Sequence, residues 1–516
     1  MSRPSILVFF CFVLLFSCQQ REQIPLEDDG TSTLFRENLR PFYHGVASGD
    51  PLPNAVIIWT RVTPSAVQEV EVSWEVALDQ DFKQVVQSGK TNTDESKDYT
   101  VKVDVTGLQP NTVYHYHFKA FGNKSMTGRT KTLPTNDPGQ VQLAIVSCSN
   151  YEAGYFNALG RIAERSDLDA VLHLGDYIYE YGVGGYGDTA LSRKNLPTQE
   201  IVSISDYRTR YALYRLDPDF QKAHQRHPFI TIWDDHEITN NSYVDGAQNH
   251  QPEEEGDYNV RKSVARQAYY EWLPIREKKE LYRKFEYGNL VDLLMLDERL
   301  AGRQMQADSI NTPAYRDSTR TMLGDVQVDW FLQNLKESEA VWKVVGNQVI
   351  FSDLSFEKIF PNRPKNMDAW DGYPFEKKKI IDFLKDGGIQ NTIWVTGDTH
   401  CSWAFETPTS IEGYLADSVA AVVAVEFGTT SISSSNYDER TSMDTVKMVE
   451  GLYLQDNPHL KYVDLSQHGY LLLTLTPEAA TAEWWYVDTI KEPSSAESLA
   501  QRLQVMKDGK TLSSGL

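Results

Sequence analysis

Short segments in which apolar and polar residues alternate fill the region from Pro41 to about Pro134. A period of two is the pattern of β-strands that bury one face, and turn residues separate these segments. The spacing favours a small antiparallel β-sandwich, and we predict a separate N-terminal domain over residues 41–134. Its four clearest predicted strands are Ala55–Thr60, Glu71–Val76, Thr100–Val105 and Thr112–Phe118.

After a linker at residues 135–140 the pattern changes to short apolar runs separated by helical segments. Strands alternating with helices indicate an α/β layered domain, which we place at residues 141–490. We predict amphipathic helices at Arg261–Trp272 and Leu323–Leu335 and a C-terminal tail at residues 491–516. The predicted strands are Val141–Val146, Ala170–Leu174, Phe229–Trp233, Leu290–Leu296, Trp342–Gly346 and Thr392–Thr396.

Residues able to bind metal ions follow five of these strands. Each one alone is consistent with an ordinary polar turn. The carboxyl ends of parallel strands, however, meet at one edge of a sheet, where ligands collect. Packing does not readily explain such residues at five strand ends, so we predict a metal site there. The residues are Cys148; Asp176 with Tyr179; Asp234, Asp235, His236 and Glu237 with Asn240 and Asn241; Asn347 with Gln348; and Asp398 with His400.

The mixture of ligand types indicates two different ions. A thiolate, a phenolate, a carboxylate and an imidazole suit a transition ion of high charge, and phenolate favours Fe(III). The other candidates offer mostly oxygen, which suits Ca²⁺, Mg²⁺ or Mn²⁺ better than zinc. Asp176 is the best candidate to bridge the two ions.

Composition narrows the partners of the 516-residue chain. Hydrophobic residues make up 41% and charged residues 24%, as in ordinary globular proteins, and the length favours two or more domains. The formal net charge of −22 argues against a nucleic-acid-binding surface. An anionic substrate would need local positive charge, which bound metal ions provide.

Residues 1–18 are predicted to be a lipoprotein signal peptide. The apolar run Ile6–Phe16 is too short to span a bilayer and fits a signal-peptide core. It ends in Leu15-Phe16-Ser17-Cys18, which is similar to a bacterial lipoprotein box; ordinary secretory cleavage near Ser17 is the alternative. We therefore expect an exported protein, lipid-anchored through Cys18 on the periplasmic or cell-surface side of a bacterial membrane, with residues 19–40 as a tether.

The order of several motifs identifies a family. The chain resembles the PhoD-type alkaline phosphatases, relatives of the purple acid phosphatases among the calcineurin-like metallophosphoesterases. The resemblance implies an α/β fold: a four-layer α/β/β/α metallophosphoesterase sandwich preceded by a small all-β immunoglobulin/fibronectin-like domain. The motifs are Phe42-Tyr-His-Gly-Val-Ala-Ser-Gly-Asp-Pro, Ser147-Cys-Ser-Asn, Leu174-Gly-Asp-Tyr-Ile-Tyr-Glu-Tyr, Trp233-Asp-Asp-His-Glu, Gly397-Asp-Thr-His, Glu426-Phe-Gly-Thr-Thr and Asn457-Pro-His-Leu-Lys-Tyr.

The resemblance also implies metal ligands. Fe(III) would be held by Cys148, Asp176, Tyr179 and His400, and Ca²⁺ by Asp176, Asp235, Asp398 and one of Asn240 or Asn241. Mn, Mg or Zn are possible substitutes. Asn347-Gln348 stands where the wider superfamily often has a histidine, which makes zinc in the second site less favoured and leaves Gln348 as a further candidate ligand.

Three residues are implied in catalysis: His236, Asp235 and Arg299. His236 is expected to donate to the phosphoryl oxygens or to protonate the leaving group, although it could merely orient Asp235. Arg299 could bind the substrate phosphate or form a salt bridge with Asp297.

The resemblance predicts an alkaline phosphatase, a metal-dependent phosphoric ester hydrolase. Phosphate monoesters, and also phosphodiesters, would be cleaved by attack of metal-activated hydroxide on phosphorus. One alternative is a phosphodiesterase with phospholipase D-like action on headgroups, and another is an inactive surface binding protein. We expect a monomer that acts on small or polymeric phosphate esters and contacts the membrane only through Cys18.

Overall fold

The computed structural model of the protein describes residue 26 and residues 28–515. The signal peptide and the lipidation predicted at Cys18 lie outside these residues. Over the described residues, no helix combines the length and the apolar character that crossing a bilayer requires.

Most of the described chain forms two large β-sheets with helices on their outer faces. The helices are α1 (Asn157–Glu164), α2 (Ile204–Arg215), α3 (Pro218–Arg226), α4 (Pro252–Glu255), α5 (Tyr258–Trp272), α6 (Gly324–Glu337), α7 (Pro374–Asp386), α8 (Ile411–Ala416), α9 (Ser418–Ala421) and α10 (Met443–Asp456). The strands are β1 (Val46–Leu52), β2 (Ala55–Arg61), β3 (Val70–Ala77), β4 (Val85–Thr93), β5 (Thr100–Thr106), β6 (Val113–Ala120), β7 (Asn123–Lys124), β8 (Gly128–Lys131), β9 (Val141–Val146), β10 (Ala170–His173), β11 (Pro228–Thr231), β12 (Arg283–Tyr287), β13 (Val291–Met295), β14 (Trp342–Gly346), β15 (Thr392–Thr396), β16 (Ser402–Pro408), β17 (Val422–Gly428), β18 (Leu460–Asp464), β19 (Gly469–Leu475), β20 (Ala479–Val487), β21 (Glu497–Met506) and β22 (Ser513–Ser514).

The two sheets pack face to face and each contains a parallel centre. The first has the order β22-β21-β20-β19-β9-β10-β11-β1-β2-β5, and β9, β10 and β11 are parallel. The second has the order β12-β13-β14-β15-β17-β16-β18, and β13, β14, β15 and β17 are parallel. Helices α1, α2, α3 and α5 share a core with the first sheet, and α6 and α7 share one with the second. This confirms the predicted four-layer α/β/β/α sandwich.

Strands of the second sheet bury both of their faces. Leu293 belongs to the core between the sheets, whereas the next residue, Leu294, packs in the core under α6 and α7. Val344 and Val345 divide in the same way. Because neighbouring side chains point to opposite faces, a strand covered on both sides reads as a continuous apolar run. That is why the sequence displayed these segments as runs without alternation.

The N-terminal β-region is a two-layer sandwich, as predicted, but one of its layers is not separate. Strands β1, β2 and β5 pack against the sheet of β3, β4, β6 and β7 around a shared apolar core. Strand β1 also pairs in parallel with β11 of the α/β region, through Ser48 with Pro228 and Gly49 with Phe229. The sequence pattern therefore changes near residue 134, but one sheet contains strands from both sides of that boundary.

The segments predicted as a tether and a C-terminal tail both contain regular secondary structure. Within the tether predicted at residues 19–40, Thr31–Leu34 and Glu37–Leu39 are 3₁₀-helices, and the Phe35 ring stacks on Tyr43 with centroids 4.0 Å apart. The tail predicted at residues 491–516 contains β21, which pairs along β20, and β22, which pairs with β21. Leu503 and Val505 of β21 are buried, so their apolar side chains join this segment to the main core.

A buried ion pair joins the two sheets near the N-terminal sandwich. Asp50 on β1 accepts hydrogen bonds from Nε and Nη2 of Arg283 on β12, at 3.1 and 2.8 Å. The side chains are only 2% and 7% exposed. Removing one partner of such a pair leaves an uncompensated buried charge.

We therefore expect Asp50→Ala to lower the free energy of unfolding by about 3–5 kcal/mol, measured by urea denaturation. Asp104→Ala is the control, because Asp104 pairs with Arg276 at 2.8 Å but is 44% exposed. An exposed pair of this kind contributes about 0–1 kcal/mol. Equal losses in the two variants would contradict the role assigned to the Asp50–Arg283 pair.

Candidate metal centre

The loops after β9, β10 and β11 of one sheet meet the loops after β15 and β13 of the other. The sequence predicted these strand ends at one edge of a single sheet; the side chains do lie together, but they come from two sheets. The possible ligand atoms in each of three groups lie within 4.8 Å of one another: Cys148, Asp176 and His400; Asp176, Asp235 and His236; and Asp234, Asp235 and Asp398. Asp176 belongs to two groups, and so does Asp235.

Glu237 fixes the relative position of two of these loops. Its carboxylate accepts hydrogen bonds from the backbone N–H groups of Asp176, Tyr177 and Asp234, at 3.1, 2.5 and 2.8 Å. The loops approach so closely that a Cβ on Gly175 would lie 2.3 Å from the Cβ of Asp234. The sequence identified Glu237 only as part of a motif; its structural role depends on this contact.

Besides Asn241, four of the predicted ligands have backbone conformations that non-glycine residues rarely adopt. The φ angles of Cys148, Asp176, Asp398 and His400 are 60°, 55°, 61° and 64°. Each such residue costs about 1–3 kcal/mol and persists where the surrounding structure holds it. Sharp turns in this conformation aim all four side chains into the space between the sheets.

The first ligand group is preorganised by hydrogen bonds. The Tyr179 hydroxyl donates to Oδ2 of Asp176 at 2.9 Å, lies 3.3 Å from Nε2 of His400, and accepts from Oγ of Ser434 at 2.7 Å. Nδ1 of His400 lies 3.0 Å from the Ser435 carbonyl oxygen. That contact assigns the proton to Nδ1 and leaves Nε2 available as a ligand.

The third group, Asp234, Asp235 and Asp398, consists of carboxylates, and Arg299 lies within it. Nε of Arg299 is 2.5 Å from Asp234, and Nη2 is 3.3 Å from Asp398 and 3.6 Å from Asp235. The ion pair predicted between Arg299 and Asp297 is wrong: the Asp297 carboxylate accepts from the backbone N–H of Arg299 and from Trp233. The sequence pattern placed Asp234 among the residues able to bind metal but assigned it to neither ion.

Arg299 is also held from its other side by Asp368, which the sequence analysis missed. Nη1 of Arg299 donates to the Asp368 carboxylate at 2.9 Å, and Arg303 donates to the same carboxylate at 2.5 Å. Asp368 lies in a long segment without regular secondary structure, so no pattern in the sequence pointed to it.

Several oxygens of the centre accept no hydrogen bond from any described residue. They are Oδ1 of Asp176, Oδ2 of Asp234 and Oδ1 of Asp235, and all are buried. Buried carboxylate oxygens without donors are unfavourable unless a cation compensates them. With a thiol, a phenol and an imidazole beside them, the residues present fit two bound cations.

The protein groups alone favour the protonated forms of several ligands. Burial, followed by the charge of Asp176, raises the pKa of Cys148 and Tyr179 well above their ordinary values. Burial raises the pKa of Asp398 to about 7 and that of Asp234 to about 8, with Arg299 opposing both shifts. A cation binding here therefore has to displace protons.

The structure places the predicted asparagine ligands less directly. The backbone N–H of Asn241 donates to Asp235 at 2.6 Å, which brings this loop to the second group. The side-chain amides of Asn240 and Asn241 both donate to Gln248, at 3.2 and 2.5 Å. That one of these two asparagines binds a cation stays a prediction. Gln348 is fully buried, and its Oε1 accepts no hydrogen bond within the described chain.

His236 is held by a carboxylate that the sequence analysis did not single out. Nδ1 of His236 lies 2.6 Å from Oε2 of Glu180, which is fully buried. Burial disfavours the charged imidazole, but Glu180, Asp235 and Asp176 outweigh that effect and raise the pKa of His236 well above its ordinary value. The ring is therefore oriented and protonated, with Nε2 left to act as a donor.

The glycine-rich loop at residues 182–187 places an aromatic ring, Tyr186, against Tyr179 and His236 of the metal centre. The Tyr186 ring stacks with Tyr179 at a centroid distance of 5.7 Å and with His236 at 6.2 Å. The Tyr186 hydroxyl accepts from Arg440 at 3.3 Å. These contacts join residues far apart in the chain, and no local signal in the sequence indicated them.

Comparisons with known proteins agree with this geometry. The model of the PhoD-like phosphatase family matches residues 143–484, and that of the PhoD-like phosphatase N-terminal domain matches residues 31–134. The chain is 36% identical over 491 residues to alkaline phosphatase D of Bacillus subtilis (strain 168), covering 91% of this chain and 81% of that protein. A solved structure of PhoD has a TM-score of 0.84 and 35% identity and covers 92% of each chain. The resemblance predicted from the motifs is confirmed.

The shared position of Asp176 gives a test by elemental analysis of purified protein. We expect Asp176→Asn to lose metal from both the first and the second ligand group, because the Asp176 carboxylate belongs to both. Tyr179→Phe should weaken only the first group. Tyr181→Phe is the control, since Tyr181 belongs to neither group. Loss of only one metal in Asp176→Asn would contradict the bridging position.

Proposed function

Because the chain belongs to the PhoD-like phosphatase family and is a phosphoric ester hydrolase, we propose that it is an exported, metal-dependent enzyme that hydrolyses phosphate monoesters and phosphodiesters. The observation that carries this proposal is the pair of ligand groups joined at Asp176, with His236 in contact with both the bridge and Asp235. A centre of two cations beside a proton donor suits in-line displacement at phosphorus.

The metals proposed are Fe(III) and Ca²⁺. Fe(III) suits the thiolate, phenolate, carboxylate and imidazole of Cys148, Tyr179, Asp176 and His400. Ca²⁺ suits the oxygens of Asp235 and Asp398 with those of Asp176 and an asparagine. Such cations supply activation of water as a nucleophile and neutralisation of phosphoryl charge when they are bound.

His236 is proposed as the proton donor. Glu180 holds Nδ1, so the imidazole keeps one orientation, and Tyr179 packs 4.3 Å from its ring centroid. The charge of Glu180, which is not a proposed metal ligand, helps to keep a proton on the ring. Nε2 is then placed to donate to a phosphoryl oxygen or to the leaving oxygen.

Arg299 is proposed mainly as a positioning residue. Its guanidinium already pairs with Asp234 and Asp368, and it approaches Asp235 and Asp398. These contacts fix the carboxylates and offset part of their mutual repulsion. Direct binding of the substrate phosphate, the alternative from the sequence, would require Arg299 to give up part of this pairing.

Side-by-side hydrolysis of aryl phosphate monoesters and diesters tests the function. We expect the wild-type enzyme to cleave both classes and His236→Asn to lower kcat by about 10²–10⁴-fold with metal content unchanged. If His236 protonates the leaving group, the loss should be larger for phenyl than for 4-nitrophenyl phosphate, because nitrophenolate leaves without help.

His250→Asn is a matched control for that experiment. His250 also pairs with a glutamate, Glu255, at 3.0 Å, but outside the metal centre, so kcat should be unchanged. Cleavage of diesters only would favour the phosphodiesterase alternative. A metal-loaded protein inactive on both ester classes would contradict the proposal.

Export and lipid anchoring at Cys18 are the remaining parts of the proposal. They rest on the basic start, short apolar core and lipoprotein-like box of Met1–Cys18. We expect cells expressing the full chain to incorporate radioactive fatty acid into it, and Cys18→Ala to abolish that label. Equal labelling of both proteins would contradict the anchor.

A further inference from the structure

A second polar cleft lies away from the metal centre, between the N-terminal sandwich and α5. Its volume is about 910 Å³, and it is open to solvent. Strands β4 and β5 form one wall through Thr91 and Lys102, and α5 forms the other through Arg266 and Tyr270. The predicted metal ligands do not line it. The function proposed above does not use this cleft.

The lining of this cleft is cationic although the chain carries a formal net charge of −22. It has five cationic side chains and two carboxylates, Glu271 and Glu277. The Glu271 carboxylate is occupied, because Arg208 donates to both of its oxygens at 2.7 Å. The cations are Lys97, Lys102, Arg266, Lys278 and Lys279.

The two innermost cations are held by neutral groups. Arg266 donates to the backbone carbonyl oxygens of Lys278, at 3.2 Å, and Lys279, and its guanidinium lies 5.6 Å from the Tyr270 ring centroid. Lys102 donates to the Tyr270 carbonyl oxygen. Within the described part of the chain, neither side chain forms an ion pair with a carboxylate. Both are therefore held in place without a directly paired carboxylate.

Burial supports this interpretation for Lys102. Desolvation lowers its pKa to about 8, although Glu277, Asp50 and Glu271 oppose the shift. A buried ammonium group is stabilised by a nearby anion. An anion in the cleft would supply the missing countercharge.

We propose that this cleft binds an oxyanion of the phosphate type. Cations approach it from three separate segments: the turn at Lys97, strand β5 and helix α5 with the loop that follows. Ser263 and Gln267 on α5 add neutral donors to the same lining. An anion with several oxygens can accept from several directions at once, which a single carboxylate does less well. The phosphate could be free inorganic phosphate or part of a lipid headgroup.

The direct test is the number of inorganic phosphate ions bound per chain, measured by equilibrium dialysis of the metal-loaded protein. Phosphate at the metal centre contributes equally to all variants, so the difference from wild type isolates the cleft. We expect Arg266→Gln and Lys278→Ala each to lower the affinity for one phosphate ion by about tenfold or more. A hydrogen bond to a charged group contributes about 1.5–3 kcal/mol. Lys278 is exposed, so its variant should fold normally even if Arg266→Gln does not.

Lys90→Ala is the matched control, because Lys90 lies on β4 but pairs with Glu71 at 2.7 Å outside the cleft. Its phosphate binding and the hydrolysis of aryl phosphate by all three variants should equal those of the wild type. The same loss of phosphate binding in Lys90→Ala would overturn the proposal.

Vesicles distinguish the two sources of phosphate. If a lipid headgroup is the occupant, protein lacking residues 1–25 should sediment with phosphatidylglycerol vesicles, and Lys278→Ala should reduce this. If free phosphate is the occupant, Lys278→Ala should bind less phosphate than the wild type in dialysis. Neither protein should then bind the vesicles. Loss of neither phosphate nor vesicle binding in Lys278→Ala would overturn the site.

Discussion

The mutual repulsion of buried carboxylates is the constraint on which the centre of this structure depends. Asp176, Asp234, Asp235 and Asp398 come together where two sheets meet. Within each ligand group the candidate oxygens lie no more than 4.8 Å apart, and at that distance, with an effective dielectric constant of about 20, a pair of ionised carboxylates costs roughly 3–4 kcal/mol. Arg299 and His236 offset only part of this, and three carboxylate oxygens accept no hydrogen bond from the described chain. Bound cations would offset the remaining negative charge, and the same cations are the ones that the proposed hydrolysis uses.

The framework keeps this unfavourable cluster in place with rigid elements. Parallel strands buried on both faces provide the base, and Glu237 ties two of the loops together through three backbone N–H groups. Left-handed turns at Cys148 and His400 add local strain that the sheets must hold. This cost is consistent with a site in which position matters more than stability.

The same framework gives the proton donor its direction. Glu180 fixes the His236 ring from one side, and Tyr179 packs on its face. The cationic cleft beside α5 has the opposite electrostatic character, because five cationic side chains and only two carboxylates line it. One acidic chain thus concentrates negative charge where cations are proposed and positive charge where an anion is proposed.

The sequence by itself determined the layered α/β fold, the strands and the residues at their ends, because periodicity and turn chemistry are local. It also predicted Cys148, Asp176 and His400 in one site, although the strand before His400 belongs to the other sheet. Only the tertiary structure decided that Arg299 lies among the carboxylates and that β21 completes a sheet. It likewise assigned Glu180 and Asp368 to the centre. These outcomes depend on contacts between distant segments, which no local pattern encodes.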